Sequence, residues 1–190
     1  AQTTYLHCGE VFDAKKGKFV GPHTIVVEGD RIKSVDKGYQ QPKETSTNVI
    51  DLKSKTVYPG FIDMHVQIEG EYSPDRYLKV FQNNPEDTAF EAAEIANRTL
   101  MAGFTTVRDM GGTGVNIALR NAINKGLIPG PRVFTAGKAI STTGGHADPT
   151  NGFKNTFEGD PGPKEGVINS VDDAKKAIRQ RYKNGADWIK

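Results

Sequence analysis

The feature that most constrains this chain is a change of pattern at Pro59-Gly60. Before it, short apolar runs alternate with turn residues: Tyr5-Leu6-His7-Cys8, Val11-Phe12, Thr24-Ile25-Val26-Val27 and Arg31-Ile32-Lys33-Ser34-Val35. Glu28-Gly29-Asp30 between the last two runs is a hairpin signal. Residues 1–57 therefore read as a small antiparallel β unit, which Asn48-Val49-Ile50-Asp51-Leu52 and Thr56-Val57-Tyr58 continue. From residue 58 onward strands alternate with helices, the grammar of a parallel sheet wrapped by helices, so the fold class is α/β.

In this second part, residues 61–66 read as a buried strand, 104–108 as the next, and 132–136 as a third. Residues 86–102 form a helix with Ala89, Ala92, Ala93, Ile95, Ala96 and Leu100 on one stripe, started by Asn84-Pro85 and stopped by Gly103. Residues 116–125 and 171–184 read as helices closed by Gly126 and Gly185. Residues 186–190 open a fourth strand, and 141–169, rich in Gly, Pro, Asp and Asn, form a long loop of the kind that is often functional. Four strands do not close a barrel, so the expectation is a partial sheet completed by a C-terminal portion or a second chain, and inactive alone.

Charge excludes some partners. With 25 basic and 23 acidic residues and no basic run, the chain has no footprint for nucleic acid or an anionic membrane surface. No stretch approaches the ~20 apolar residues of a membrane span. The lone Cys8 rules out an internal disulfide or a cysteine zinc cluster and reads as a small buried side chain. The start at Ala1 fits a mature exported, periplasmic protein and a trimmed cytoplasmic one equally.

Chemistry concentrates in Pro59-Gly60-Phe61-Ile62-Asp63-Met64-His65-Val66-Gln67. Residues two apart on a strand face the same way, so His65 and Gln67 project together near its C-terminal end, where parallel barrels build their sites. By residue type alone, His65 reads first as a histidine satisfied by hydrogen bonds in a polar barrel core. Asp63 reads as a strand-end hydrogen-bond acceptor. His146 follows two glycines in Thr143-Gly144-Gly145-His146-Ala147-Asp148, where it could polarise a carbonyl, hold a carboxylate, or order the loop by bonding Asp148. His7 and His23 read as structural, and Arg108-Asp109 as an internal ion pair. Gly111-Gly112-Thr113-Gly114 lacks the endings of phosphate loops and reads as a turn into a helix. No nucleophile elbow is present, so nucleophilic catalysis is disfavoured.

The strand-one run resembles the signature of the amidohydrolase superfamily, Pro-Gly-hydrophobic-Ile-Asp-Met-His-x-His, whose two histidines bind the more buried divalent metal. Residues 104–109, 136–149 and 185–190 are similar to later strands of its imidazolonepropionase-like and Xaa-Pro dipeptidase (prolidase-like) subgroup, so the resemblance covers essentially the whole chain. It implies the N-terminal part of a small β-sandwich over residues 1–57, followed over 58–190 by the first half of a metal-dependent-hydrolase (β/α)8 TIM-like barrel.

It also implies roles. His65 becomes a metal ligand, with Gln67 standing where the signature has its second histidine. An amide oxygen is a weaker zinc ligand than an imidazole, and three readings stay open: an inactivating replacement, a natural shift to a weaker or single metal, and loss of catalysis. Lys190 matches the lysine that in the subgroup is carbamylated and bridges two metals, although by residue type alone it is an ordinary strand-end lysine. His146 becomes a substrate-side residue.

The cofactor implied is one or two divalent ions, zinc foremost, and no acid/base aspartate of the kind expected on the last barrel strand lies in this chain. The activity implied is hydrolysis of amide or peptide bonds by a metal-activated hydroxide, on Xaa-Pro dipeptides, N-acyl amino acids or ochratoxin-like amides. The rivals are a cyclic-amide hydrolase or deaminase on the same barrel, and a non-catalytic fragment whose site has decayed. A homo-oligomer is expected.

Overall fold

The computed structural model describes residues 2–42 and 47–190. The chain divides into two compact units, Ala1–Pro59 and Gly60–Lys190.

The first unit is built around β1 (Thr3–Asp13), which pairs antiparallel with β2 (Lys18–Phe19) and β3 (His23–Glu28). β3 continues through a hairpin to β4 (Arg31–Lys37), closed by the pair Glu28 and Arg31. Gly29 there has φ 62°, the positive value that a type II′ turn demands at its first central position. The expected hairpin is therefore present. β5 (Asn48–Val57), expected to extend an antiparallel sheet, instead runs parallel to β1. β4 already occupies the outer edge of β3, so β5 adds at the other edge of β1, and alternation of apolar residues does not tell the two directions apart. Where β5 shifts register past Cys8, Gly9 is required, since a Cβ would run into the carbonyl oxygen of Lys53. The core here is Cys8, Val11 and Ile25, with Leu6, Val27 and Leu52 against it. His7 hydrogen-bonds the Gln40 carbonyl (2.9 Å) and His23 that of Gly21 (3.1 Å), both as ties within the unit.

The second unit carries a parallel sheet in the order β6 (Phe61–Val66), β7 (Phe104–Asp109), β8 (Arg132–Thr135). Its helices are α1 (Arg76–Gln82), α2 (Pro85–Met101), α3 (Val115–Asn124), α4 (Asn155–Glu158) and α5 (Val171–Asn184). α2 begins at a reciprocal capping box between Asn84 and Asp87 with Pro85 in the first turn, and α5 at Ser170, whose hydroxyl accepts from the Asp173 amide. Ala92 and Ala96 of α2, Leu119 of α3, Val107, Val133 and Ile68 form the core between helices and sheet.

Three expectations change. β6 is not a buried strand: it is the edge of this sheet, and Ile62 is 61% exposed. Residues 186–190 form no ladder; three backbone bonds attach them, from Ala186 N to Arg181 O (3.0 Å), from Asp187 N to Thr135 O (2.8 Å) and from Ile140 N to Lys190 O (2.9 Å). The segment 141–169 is not structureless, because Ser141 pairs with Val167 and α4 lies within it. Helix α1 leaves no periodic signal in the sequence, because it is two turns long with no buried residue. No helix among the described residues is long and apolar enough to cross a membrane.

Candidate active site

Alternation along the strands sorts the residues at their C-terminal ends. Val107 and Asp109 are buried on the side of β7 that meets the helices. Arg108, between them, projects from the other face. The expected Arg108–Asp109 ion pair is therefore absent, as adjacent strand residues cannot meet. Arg108 instead donates from Nε to the Met64 carbonyl (2.8 Å) and lies over the Trp188 ring at 5.2 Å.

Asp109, fully buried, gathers three strand ends. Its Oδ1 accepts from the Ile68 amide (3.2 Å), just past β6. Its Oδ2 accepts from the Thr135 hydroxyl (2.8 Å) at the end of β8 and from Asn116 Nδ2 (2.6 Å) in α3. Burial pushes the Asp109 carboxyl up from its ordinary pKa, while these three donors pull it back.

By the same alternation on β6, Val66 packs against the helix-side core and His65 projects from the opposite face. His65 is exposed, and its amide donates to Asp63 Oδ1 (2.9 Å), the acceptor role read for Asp63 in the sequence. Gln67 lines a cleft of about 370 Å³ with Glu69, Glu71, Tyr72, Arg76, Lys79 and others.

Beside that cleft the glycine turn leads into α3 as expected, and a carboxylate of the chain itself sits where an anion would. Glu69 accepts from the amides of Thr113, Gly114 (3.2 Å) and Asn116 (2.7 Å). Gly112 leaves room for it, because a Cβ there would meet the carboxylate.

In the long loop, Asp148 is the organiser, accepting from the Gly144 amide (2.8 Å) and from the Thr150 amide (3.0 Å) and hydroxyl (2.8 Å). Those bonds hold its carboxyl below the ordinary pKa. His146 is exposed and does not bond Asp148, so the ordering role read for that pair falls to Gly144 and Thr150. Arg181 of α5 is buried and ties the loop down through the carbonyls of Lys138 (3.0 Å) and Pro163 (3.1 Å).

His65, His146 and Lys190 do not line the cleft that holds Gln67, and no hydrogen bond joins the four side chains among the described residues. Nor do three or more His, Cys, Asp or Glu side chains converge to hold a cation among those residues. By donor chemistry alone, the imidazole of His65 and the amide oxygen of Gln67, two residues apart in the sequence, are groups that a divalent cation accepts. Lys190 is half-buried, with its carbonyl engaged by Ile140.

Three features of this region were not read from the sequence. The partners of Glu69 lie 44 to 47 residues away, so no local pattern could reveal them. Arg181 sits in a helix with Lys175, Lys176, Arg179 and Lys183 and looks like any solvated cation. For Asp109, the strand-end position was a signal, and its neighbour Arg108 obscured it.

The amidohydrolase family profile matches residues 56–190. A crystal structure of a Xaa-Pro dipeptidase with methionine bound in its active site superimposes with a TM-score of 0.90 and 42% identity, over 99% of this chain and 46% of that one. A prolidase complexed with N-methylphosphonate-L-proline gives a TM-score of 0.78 and 32% identity, over 100% of this chain and 46% of its own. Ochratoxinase from Aspergillus niger is 30% identical over 146 residues, which is 70% of this chain and 30% of the relative. The chain thus spans less than half the length of these relatives, whose solved members carry amidohydrolase TIM barrels. With a match across most of its length, this chain belongs to the amidohydrolase family.

Proposed function

We propose that this chain is part of a metal-dependent hydrolase of amide or peptide bonds, acting on Xaa-Pro dipeptides and N-acyl amino acids, with ochratoxin-like amides in the same chemical range. The observation that carries the reading is the likeness to the Xaa-Pro dipeptidase structure over 99% of the chain. A bound divalent cation supplies Lewis acidity toward the scissile carbonyl.

The chain's own residues divide the work around it. His65 and Gln67 offer neutral donors, with Asp63 fixing the backbone of His65. Lys190, if carbamylated, would add an anionic oxygen donor for the cation. His146 stands at the head of a loop braced by Asp148 and can meet the substrate's carbonyl or carboxylate. The ties of Asp109 hold the strand ends in register beneath Gln67.

Hydrolysis of a panel of Xaa-Pro dipeptides, N-acyl amino acids and cyclic amides by the protein carrying this chain tests the proposal, with Gln67→His alongside. The expected result is turnover of the first two classes that rises in Gln67→His. Background rates in both proteins would sink the reading, and turnover confined to cyclic amides would replace it.

A further inference from the structure

We infer that Arg76 is the carboxylate-binding residue of the cleft that Gln67 lines, selecting substrates with a free carboxylate at the end of the chain; the inference rests on the amide-hydrolase reading and names which end of the substrate the cleft holds. The argument is a count of charges. Three carboxylates line this cleft, and each has its partner: Glu69 takes three backbone amides, Glu71 pairs with Arg98 (2.8 Å) and Glu91 with Lys79 (3.1 Å). Of the two cations, Lys79 is engaged by Glu91, whereas the guanidinium of Arg76 has no hydrogen bond or ion pair among the described residues.

Arg76 has one near neighbour in the cleft. It lies 5.3 Å from the centre of the Tyr72 ring, and both residues line the cleft. No hydrogen bond or ion pair among the described residues engages its N–H donors, and a guanidinium with free donors binds a carboxylate in bidentate fashion. The ring takes no hydrogen bond from it, so those donors remain free for a ligand. Arg76 opens α1, at the exit of the loop that follows Gln67, so strand end and anion-binding edge are separated by that one loop. A cleft of about 370 Å³ is large enough for a dipeptide or an N-acyl amino acid. Val80 adds aliphatic surface to the same lining.

The test measures binding rather than turnover, so its failure is separate from failure of the hydrolase reading. N-acetyl-L-proline and N-acetyl-L-prolinamide are titrated calorimetrically into the full protein and into its Arg76→Gln, Arg76→Lys and Tyr72→Leu variants. Arg76 is exposed and its side chain has no partner but the Tyr72 ring, so its replacement leaves the fold intact, which a thermal melt verifies. The wild type is expected to prefer the acid. Arg76→Gln is expected to weaken the acid by on the order of tenfold and leave the amide unchanged, with Arg76→Lys intermediate. Tyr72→Leu should weaken the acid by a smaller factor. A wild type with no preference for the acid, or an Arg76→Gln variant that keeps it, overturns the inference. Preference for the acid together with background hydrolysis would instead retain Arg76 as the carboxylate site and remove the hydrolase.

Discussion

The hydroxyl of Thr135 donates to Asp109 Oδ2 at 2.8 Å, a fully buried bond between the ends of two neighbouring parallel strands. The same Thr135 oxygen accepts from the Gly137 amide (3.0 Å), and the same carboxylate reaches the Ile68 amide beside Gln67. One side-chain pair therefore fixes where β7 and β8 stop and anchors the segment that follows β6.

Thr135→Val keeps the shape and removes the hydroxyl. Asp109 loses a donor and the Gly137 amide loses its acceptor inside the protein, so the variant is expected to be less stable by about 1–3 kcal/mol. Urea unfolding measures this directly; an unchanged midpoint would mean that the bond contributes nothing net.

Asp109 also predicts a pH dependence. Its carboxyl is raised by burial, so the folded state holds its proton more tightly than the unfolded state. Its contribution to stability is full below the ordinary carboxylate range and is lost as pH rises through the folded value. The stability advantage of the wild type over Asp109→Asn should accordingly be greatest below about pH 4 and shrink as pH rises. Denaturant titrations across that window check it, and an advantage that grows with pH would contradict it. Asp148, held below the ordinary value by Gly144 and Thr150, acts with the opposite sign: its contribution is present above the ordinary range and is lost as pH falls through the folded value.

Glu69→Ala should expose the turn into α3. Three amides lose their acceptor together, at Thr113, Gly114 and Asn116, so hydrogen exchange at these positions is expected to accelerate at least about tenfold while that of Val107 stays unchanged. Equal protection in both proteins would show that water replaces the carboxylate without loss.

Much of the fold was legible because its signals are local. The stripe of α2, its Asn84-Pro85 start, the hairpin at Gly29 and the Gly185 stop all lie within a few residues of what they control. The direction of β5 and the exposure of β6 were not, because each depends on which strand stands next to it. The same division runs through the site. The proposed pair His65 and Gln67 rests on a spacing of two residues that any reading of the sequence can see, whereas the ties of Asp109 to Thr135 and of Glu69 to Asn116 span 26 and 47 residues. Arg108 and Asp109, adjacent and opposite in charge, invited an ion pair that strand alternation forbids.

The central claim is that His65 and Gln67 stand at a metal centre of an amidohydrolase. Metal content per protein, determined by elemental analysis after equilibration with zinc or manganese, tests it most directly in wild type, His65→Ala and Gln67→His. The account predicts stoichiometric metal in the wild type, loss or clear weakening in His65→Ala, and tighter retention against a chelator in Gln67→His, since an imidazole replaces an amide oxygen. Metal content indifferent to both substitutions, or absent from all three proteins, would contradict it.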